Sequence, residues 1–225
     1  MVRRLDKLAG RLAAGRRCAQ QNIVLVGDSL CSPRAAVNLS RLLRTSAPPV
    51  GVVACAENGL EITKLSDLIT SAARRPPPES VIGVIVLAGG NDAKRGRVPD
   101  PHGLGDALGR AIEDIRKKWP SAFVVLCTIP VPGAHPALRT DAAEITTGIL
   151  NPALRATART QRVALCDVED VFEGLPDVRS DGVHPTASGD ALLAERWFQS
   201  VRPWLARPGA SGDVHLDSPP LNPVP

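Results

Sequence analysis

Ser29 stands in the segment Gly27-Asp28-Ser29-Leu30, directly behind the apolar run Ile23-Val24-Leu25-Val26. A buried strand that ends in a tight turn would expose this serine at its lip. A serine hydroxyl attacks a carbonyl efficiently only when a base removes its proton. Among the four histidines, His102 and His135 lie in Pro-rich stretches and His215 lies near the Pro-rich C-terminal end. His184 alone has a carboxylate three residues before it, in Asp181-Gly182-Val183-His184-Pro185. In such a turn the carboxylate can hold one imidazole nitrogen, fix the tautomer and stabilise the imidazolium, while the other nitrogen faces outward.

Acyl transfer also needs donors aimed at the oxygen that gains charge in the transition state. Three candidates follow from the chain: the backbone N–H of Ser29, the backbone N–H of Gly59 in Glu57-Asn58-Gly59-Leu60, and the side-chain amide of Asn91 in Gly89-Gly90-Asn91-Asp92. Glycine at 59 would let backbone approach a ligand closely. Asp28 and Asp92 read as residues that hydrogen-bond nearby backbone and fix their loops.

These groups are far apart in sequence, so the scaffold must gather them. Apolar runs at 23–26, 50–55, 81–88, 123–128 and 162–168 read as strands. Amphipathic segments near 33–45, 61–74, 104–119, 141–160 and 186–205 read as the helices between and after them, with Pro152 bending or splitting the fourth. Strict alternation implies right-handed crossovers and a parallel sheet covered on both faces. The expectation is a three-layer α/β/α sandwich with a five-stranded sheet in the flavodoxin-like order 2-1-3-4-5. Ligands then bind beyond the carboxyl ends of the strands. Ser29, Gly59 and Asn91 follow strands one, two and three, which is where such a site would lie.

Bulk composition agrees with one domain of this kind. Aromatics make up only 3% of the chain and tyrosine is absent, so the core must come from Val, Leu, Ile and Ala. The net charge of +4 is concentrated at the N-terminus, where residues 1–21 hold six basic side chains against Asp6. That segment reads as a basic amphipathic arm, residues 22–207 as the domain, and 208–225 as a Pro-rich disordered tail. Two readings of the arm stay open: a solvated flanking helix, or a contact with nucleic acid or an anionic surface. The five cysteines form no C-x-x-C pair, which suggests neither a disulfide framework nor a zinc site. With no membrane-length apolar stretch and no signal-peptide core, the expected location is cytoplasmic.

Taken together, the four segments resemble the SGNH hydrolase superfamily, the GDSL esterases and lipases. Gly27–Leu30 matches its first block, Gly59 the oxyanion glycine of its second, and Gly89–Asp92 its G-x-N-D block. Asp181–Pro185 matches its last block, and Pro185-Thr186-Ala187-Ser188-Gly189 its entry to the final helix. The second block is the least complete. The resemblance spans about residues 22–206 and implies a serine esterase without metal or other cofactor. Its triad would be Ser29, His184 and Asp181, its oxyanion donors Ser29, Gly59 and Asn91, and its intermediate an acyl-serine.

For the substrate, the scarcity of aromatics and the absence of a long apolar insertion favour a short-chain acyl or acetyl ester, or a thioester. Lys94, Arg95 and Arg97 should share the rim with Ser29, so they are candidates for binding an acidic acyl donor or an anionic leaving group. The stiff loop 130–136 could shape the acyl pocket. A reading from another class is an SGNH scaffold whose basic arm binds nucleic acid, as in the esterase domains of some retrotransposons.

Overall fold

The computed structural model describes residues 20–44, 50–71, 76–136, 138–175 and 178–205. The Pro-rich tail and all of the basic arm except Gln20 and Gln21 lie outside these residues, and so does any role of that arm in binding. Gln21, assigned to the arm from sequence, is the first residue of the first strand.

Five strands form one parallel sheet: β1 (Gln21–Gly27), β2 (Val50–Ala56), β3 (Val81–Leu87), β4 (Phe123–Cys127) and β5 (Ala164–Cys166). Their order is β2-β1-β3-β4-β5, as expected. The sheet is buried on both sides, which explains why its strands are nearly continuous apolar runs. Alternation along β1 divides the core. Val24 and Val26 face a cluster with Ile62, Leu65, Leu104, Leu108 and Leu154, whereas Ile23 and Leu25 face Leu39, Leu43, Leu193 and Trp197.

The second cluster belongs to α1 (Pro33–Leu43) and the C-terminal helix α7 (Ala187–Leu205). The first is covered by α2 (Leu65–Ser71), α4 (Pro101–Lys118) and α6 (Asn151–Thr160). Side chains such as Leu39 and Leu104, fully removed from water, each contribute roughly 1.5–3 kcal/mol of transfer free energy. No helix among the described residues is long and apolar enough to cross a membrane.

Two local features differ from the sequence reading, and the break expected at Pro152 takes a particular form. Helix α4 starts at Pro101, three residues before the expected start, because Asp100 caps it by accepting from the N–H groups of His102 and Gly103. Aspartate followed by proline at the first helical position is a helix start signal. The segment around Pro152 is divided into α5 (Ala142–Ile145), a π-helical turn (Thr146–Leu150) and α6. Pro152 has no N–H to return to the preceding turn, and the Asn151 N–H reaches back to Thr146 O, widening the helix just before it. A short helix α3 (Gly90–Arg95) follows β3, where Asp92 was read as part of a loop.

Candidate active site

Strand β1 ends at Gly27, where an added Cβ would lie 1.8 Å from the carbonyl oxygen of Leu87. Glycine is therefore required for β1 and β3 to lie this close. The Asp28 N–H donates to that same carbonyl at 3.2 Å. The chain then turns into a single 3₁₀ turn, Ser29–Cys31, capped by Asp28, whose Oδ1 accepts from Leu30 N–H at 3.0 Å. Ser32 caps α1 immediately after. Two consecutive caps hold Ser29 at the strand end, as the motif suggested.

Ser29 Oγ lies 3.0 Å from His184 Nε2. On the other side of the ring, His184 Nδ1 is 2.6 Å from Asp181 Oδ2. Asp181 Oδ1 accepts from the backbone N–H groups of Val183 at 3.1 Å and His184 at 2.7 Å. Burial would push the Asp181 carboxyl up, but the His184 ring and those two N–H groups outweigh it and hold the group at about 2. The carboxylate is thus charged, oriented and paired with one imidazole nitrogen.

The loop bearing these two residues is anchored to the nucleophile side. Arg34, near the start of α1, donates to the Pro185 carbonyl at 2.9 Å and pairs with buried Asp190 in α7. The same arginine therefore holds the residue after His184 and the helix that follows it.

Two further loops bring Gly59 and Asn91 to this end of the sheet. Gly59 has φ +79°, a conformation that favours glycine, within a turn closed by Leu60 N–H to Glu57 O. Asn91 Nδ2 donates to Leu60 O at 3.1 Å, which fixes the amide beside the Gly59 turn and leaves its second N–H for another acceptor. Asp92 is fully buried and accepts from Ile62 N–H at 3.1 and 3.3 Å. Burial pushes the Asp92 carboxyl up to about 7. Burial likewise raises Asp28 to about 6, against the pull of Leu30 N–H, the nearby His184 and the N–H groups of Gly90 and Gly89.

The matching family model, "GDSL-like Lipase/Acylhydrolase family", covers residues 25–192. The chain belongs to this family. Members are carboxylic ester hydrolases, and the enzyme class of this chain follows. No curated protein matches the sequence. Among solved structures, a lipase/acylhydrolase from Enterococcus faecalis is similar at 18% identity and TM-score 0.65, covering 82% of this chain and 97% of its own. A carbohydrate acetylesterase from Sinorhizobium meliloti is 15% identical with TM-score 0.64, over 82% of this chain and all of its own. An aryl esterase from M. smegmatis is 17% identical with TM-score 0.63, over 82% and 99%. At these identities the likeness is one of fold.

In this GDSL-family domain a narrow cleft, whose enclosed part is about 20 Å³ and so holds little more than one water, lies beside the candidate triad. Its walls include Leu30 and Gly90, the neighbours of Ser29 and Asn91, and Gly182 and Val183 from the histidine loop. Pro130, Val131 and Pro132 form another wall, so the loop expected to shape a pocket does line one. The three cations expected on the rim are placed differently from one another. Lys94 lines the cleft. Arg95 instead donates to Gly59 O at 2.9 Å and pairs with Glu61 at 2.8 Å, and Arg97 lies 3.7 Å from the same carboxylate. Sequence reasoning missed Arg34 and Arg179. Arg179 lines the cleft two residues before Asp181. Among the described residues no cluster of three or more His, Cys, Asp or Glu could hold a metal ion.

Proposed function

We propose that this enzyme hydrolyses a short-chain acyl or acetyl ester, or the corresponding thioester, through an acyl-serine intermediate. The observation that carries the reading is the continuous hydrogen-bond relay from Ser29 through His184 to Asp181, at 3.0 and 2.6 Å. As Ser29 Oγ attacks the acyl carbon, its proton passes to His184 Nε2. Asp181 stabilises the imidazolium so formed and keeps the ring from turning. The carbonyl oxygen becomes an oxyanion, and the N–H groups of Ser29 and Gly59 and the Asn91 amide stabilise it. Collapse of the tetrahedral species breaks the bond to the alcohol or thiol, which leaves with the proton from His184 Nε2. Water then enters, gives a proton to the same nitrogen and attacks the acyl-serine, releasing the acid.

The cleft beside Leu30 and Gly90 supports a small acyl group, since Pro130 and Pro132 stiffen one wall and Phe172 closes another. An acetylesterase acting on carbohydrate and an aryl esterase share this fold. The test is therefore a panel of acetylated sugars, aryl esters from acetate to octanoate, and acyl thioesters, run with Ser29→Ala and His184→Ala. Turnover should fall steeply with chain length and vanish to near background in both variants. Hydrolysis that survives Ser29→Ala would overturn the mechanism.

A further inference from the structure

One polar group in the cleft takes no part in the chemistry above. The guanidinium of Arg179 lies 5.4 Å from the Phe172 ring centroid and donates to the carbonyl of Val131. An arginine has five N–H donors in a planar fork. The group is partly withdrawn from water, and burial lowers its pKa from the ordinary value.

The surrounding arginines are spoken for. Arg155 pairs with Asp167 and Glu169, Arg196 with Asp170, and Arg95 and Arg97 face Glu61. Arg179 has no carboxylate within ion-pair distance among the described residues. Lys94 is the other charged residue lining the cleft, and no Asp or Glu lines it. The remaining wall is largely apolar, with Ile129, Leu30 and Ala93 among its members. Apolar walls with a few placed polar groups define what a pocket selects. Here those charged groups are both cations; Arg179 also borders an adjacent, larger cleft lined by Asp167, Glu169, Asp170 and Glu173, none of them within ion-pair distance, and its fork can bind a carboxylate through two parallel N–H bonds.

We propose that Arg179 binds a terminal carboxylate on the acyl group, so that the preferred substrates are monoesters of short dicarboxylic acids. The acyl chain would run along the apolar wall from Ser29, with its far end between Arg179 and Lys94. This deepens the esterase reading and rests on Ser29 being the nucleophile. It also adds Arg179 to the rim expected from sequence, where Lys94 lines the cleft and Arg95 is held by Glu61.

The deciding quantity is the ratio of kcat/KM for p-nitrophenyl glutarate monoester to that for p-nitrophenyl butyrate. Arg179→Met keeps an apolar side chain against Phe172 and should lower the ratio about tenfold or more, the usual worth of a hydrogen bond to a charged group. Arg179→Lys keeps the charge without the fork and should lower it less. It also supplies the reading should the Met variant not fold. An unchanged ratio, including a parallel loss on both esters, would overturn the proposal. So would a charge preference that follows a carboxylate placed on the aryl leaving group instead of the acyl chain. Free glutarate gives a readout that needs no turnover. It should raise the Tm of the native enzyme and of Ser29→Ala, and not that of Arg179→Met; equal shifts in all three would count against the site. Glutarate stabilisation that depends on Arg179, in a protein that hydrolyses none of the esters, would locate the failure in the esterase reading and not in the site.

Discussion

Replacing Asp181 by asparagine should cost far more than the loss of one hydrogen bond, because the local backbone dictates how the amide must sit. Asp181 Oδ1 accepts from two N–H groups, Val183 at 3.1 Å and His184 at 2.7 Å. An amide in the same place must keep its oxygen on those donors, since turning it would set an NH₂ against two N–H groups. The NH₂ then faces His184 Nδ1, where Oδ2 now lies at 2.6 Å. Nδ1 must become an acceptor, and the ring proton moves to Nε2, pointing at Ser29 Oγ. His184 can no longer take the serine proton. A forced wrong tautomer of this kind lowers kcat by about 10⁴, equivalent to about 5 kcal/mol of transition-state stabilisation. KM should change little, because Asp181 is placed to contact the histidine and not the substrate. Asp181→Ala removes the constraint together with the carboxylate and leaves the ring free to sample both tautomers, so it should retain more activity than Asp181→Asn. Initial rates on a short-chain aryl ester measure both, and nitrogen-15 chemical shifts of His184 report the tautomer directly. An Asp181→Asn enzyme within tenfold of native, or one more active than Asp181→Ala, would refute the reasoning.

Asn91→Ala should lower kcat by roughly 10²–10³ with a smaller effect on KM, as for loss of one oxyanion donor; equal losses on kcat and on folding stability would point to a purely structural amide. Asp28 and Asp92 have folded-state values raised to about 6 and about 7, so the native state binds more protons than the unfolded chain above pH 4. Stability should therefore be greatest at the acid side of that window and fall as pH rises from about 4 to about 7. For fully buried Asp92 the change is about 4 kcal/mol, and Asp92→Asn should flatten that part of the curve in urea unfolding. A pH profile unaltered by the substitution would be the contrary result. Gly27→Ala places a methyl 1.8 Å from a backbone oxygen and should destabilise by about 3 kcal/mol or more, read from the urea midpoint. A midpoint near that of the native protein would show that β1 and β3 can separate.

The sheet was legible because its information is local and repetitive. Buried parallel strands need apolar runs, and the alternation with amphipathic helices leaves few topologies, so 2-1-3-4-5 followed. The candidate triad of Ser29, His184 and Asp181 was legible because the roles proposed for it demand particular residue types at particular spacings. Arg179 was not. Its place in the cleft depends on contacts between distant segments: Gly133 N–H to Gly182 O at 2.7 Å, and the Arg179 guanidinium to Val131 O. Its position two residues before Asp181 was the available signal. The fate of Arg95 was equally hidden, since its partner Glu61 is 34 residues away on another loop. Helix α3 escaped notice because it begins at a glycine with φ +126° at its cap and no capping side chain.

Two acids of the motifs, Asp28 and Asp92, are buried and accept from backbone N–H groups. Asp28 takes up N–H groups from its own turn and from Gly89 and Gly90, linking the ends of β1 and β3. Asp92 takes up Ile62 N–H, linking the end of β3 to the turn after β2. Both do so at a desolvation cost visible in their raised pKa values. Apolar residues at 28 and 92 would remove that cost but would leave buried N–H groups unpaired. Asp28 and Asp92 thus carry a desolvation cost near neutral pH and in return pair the backbone N–H groups that join the strand-end loops.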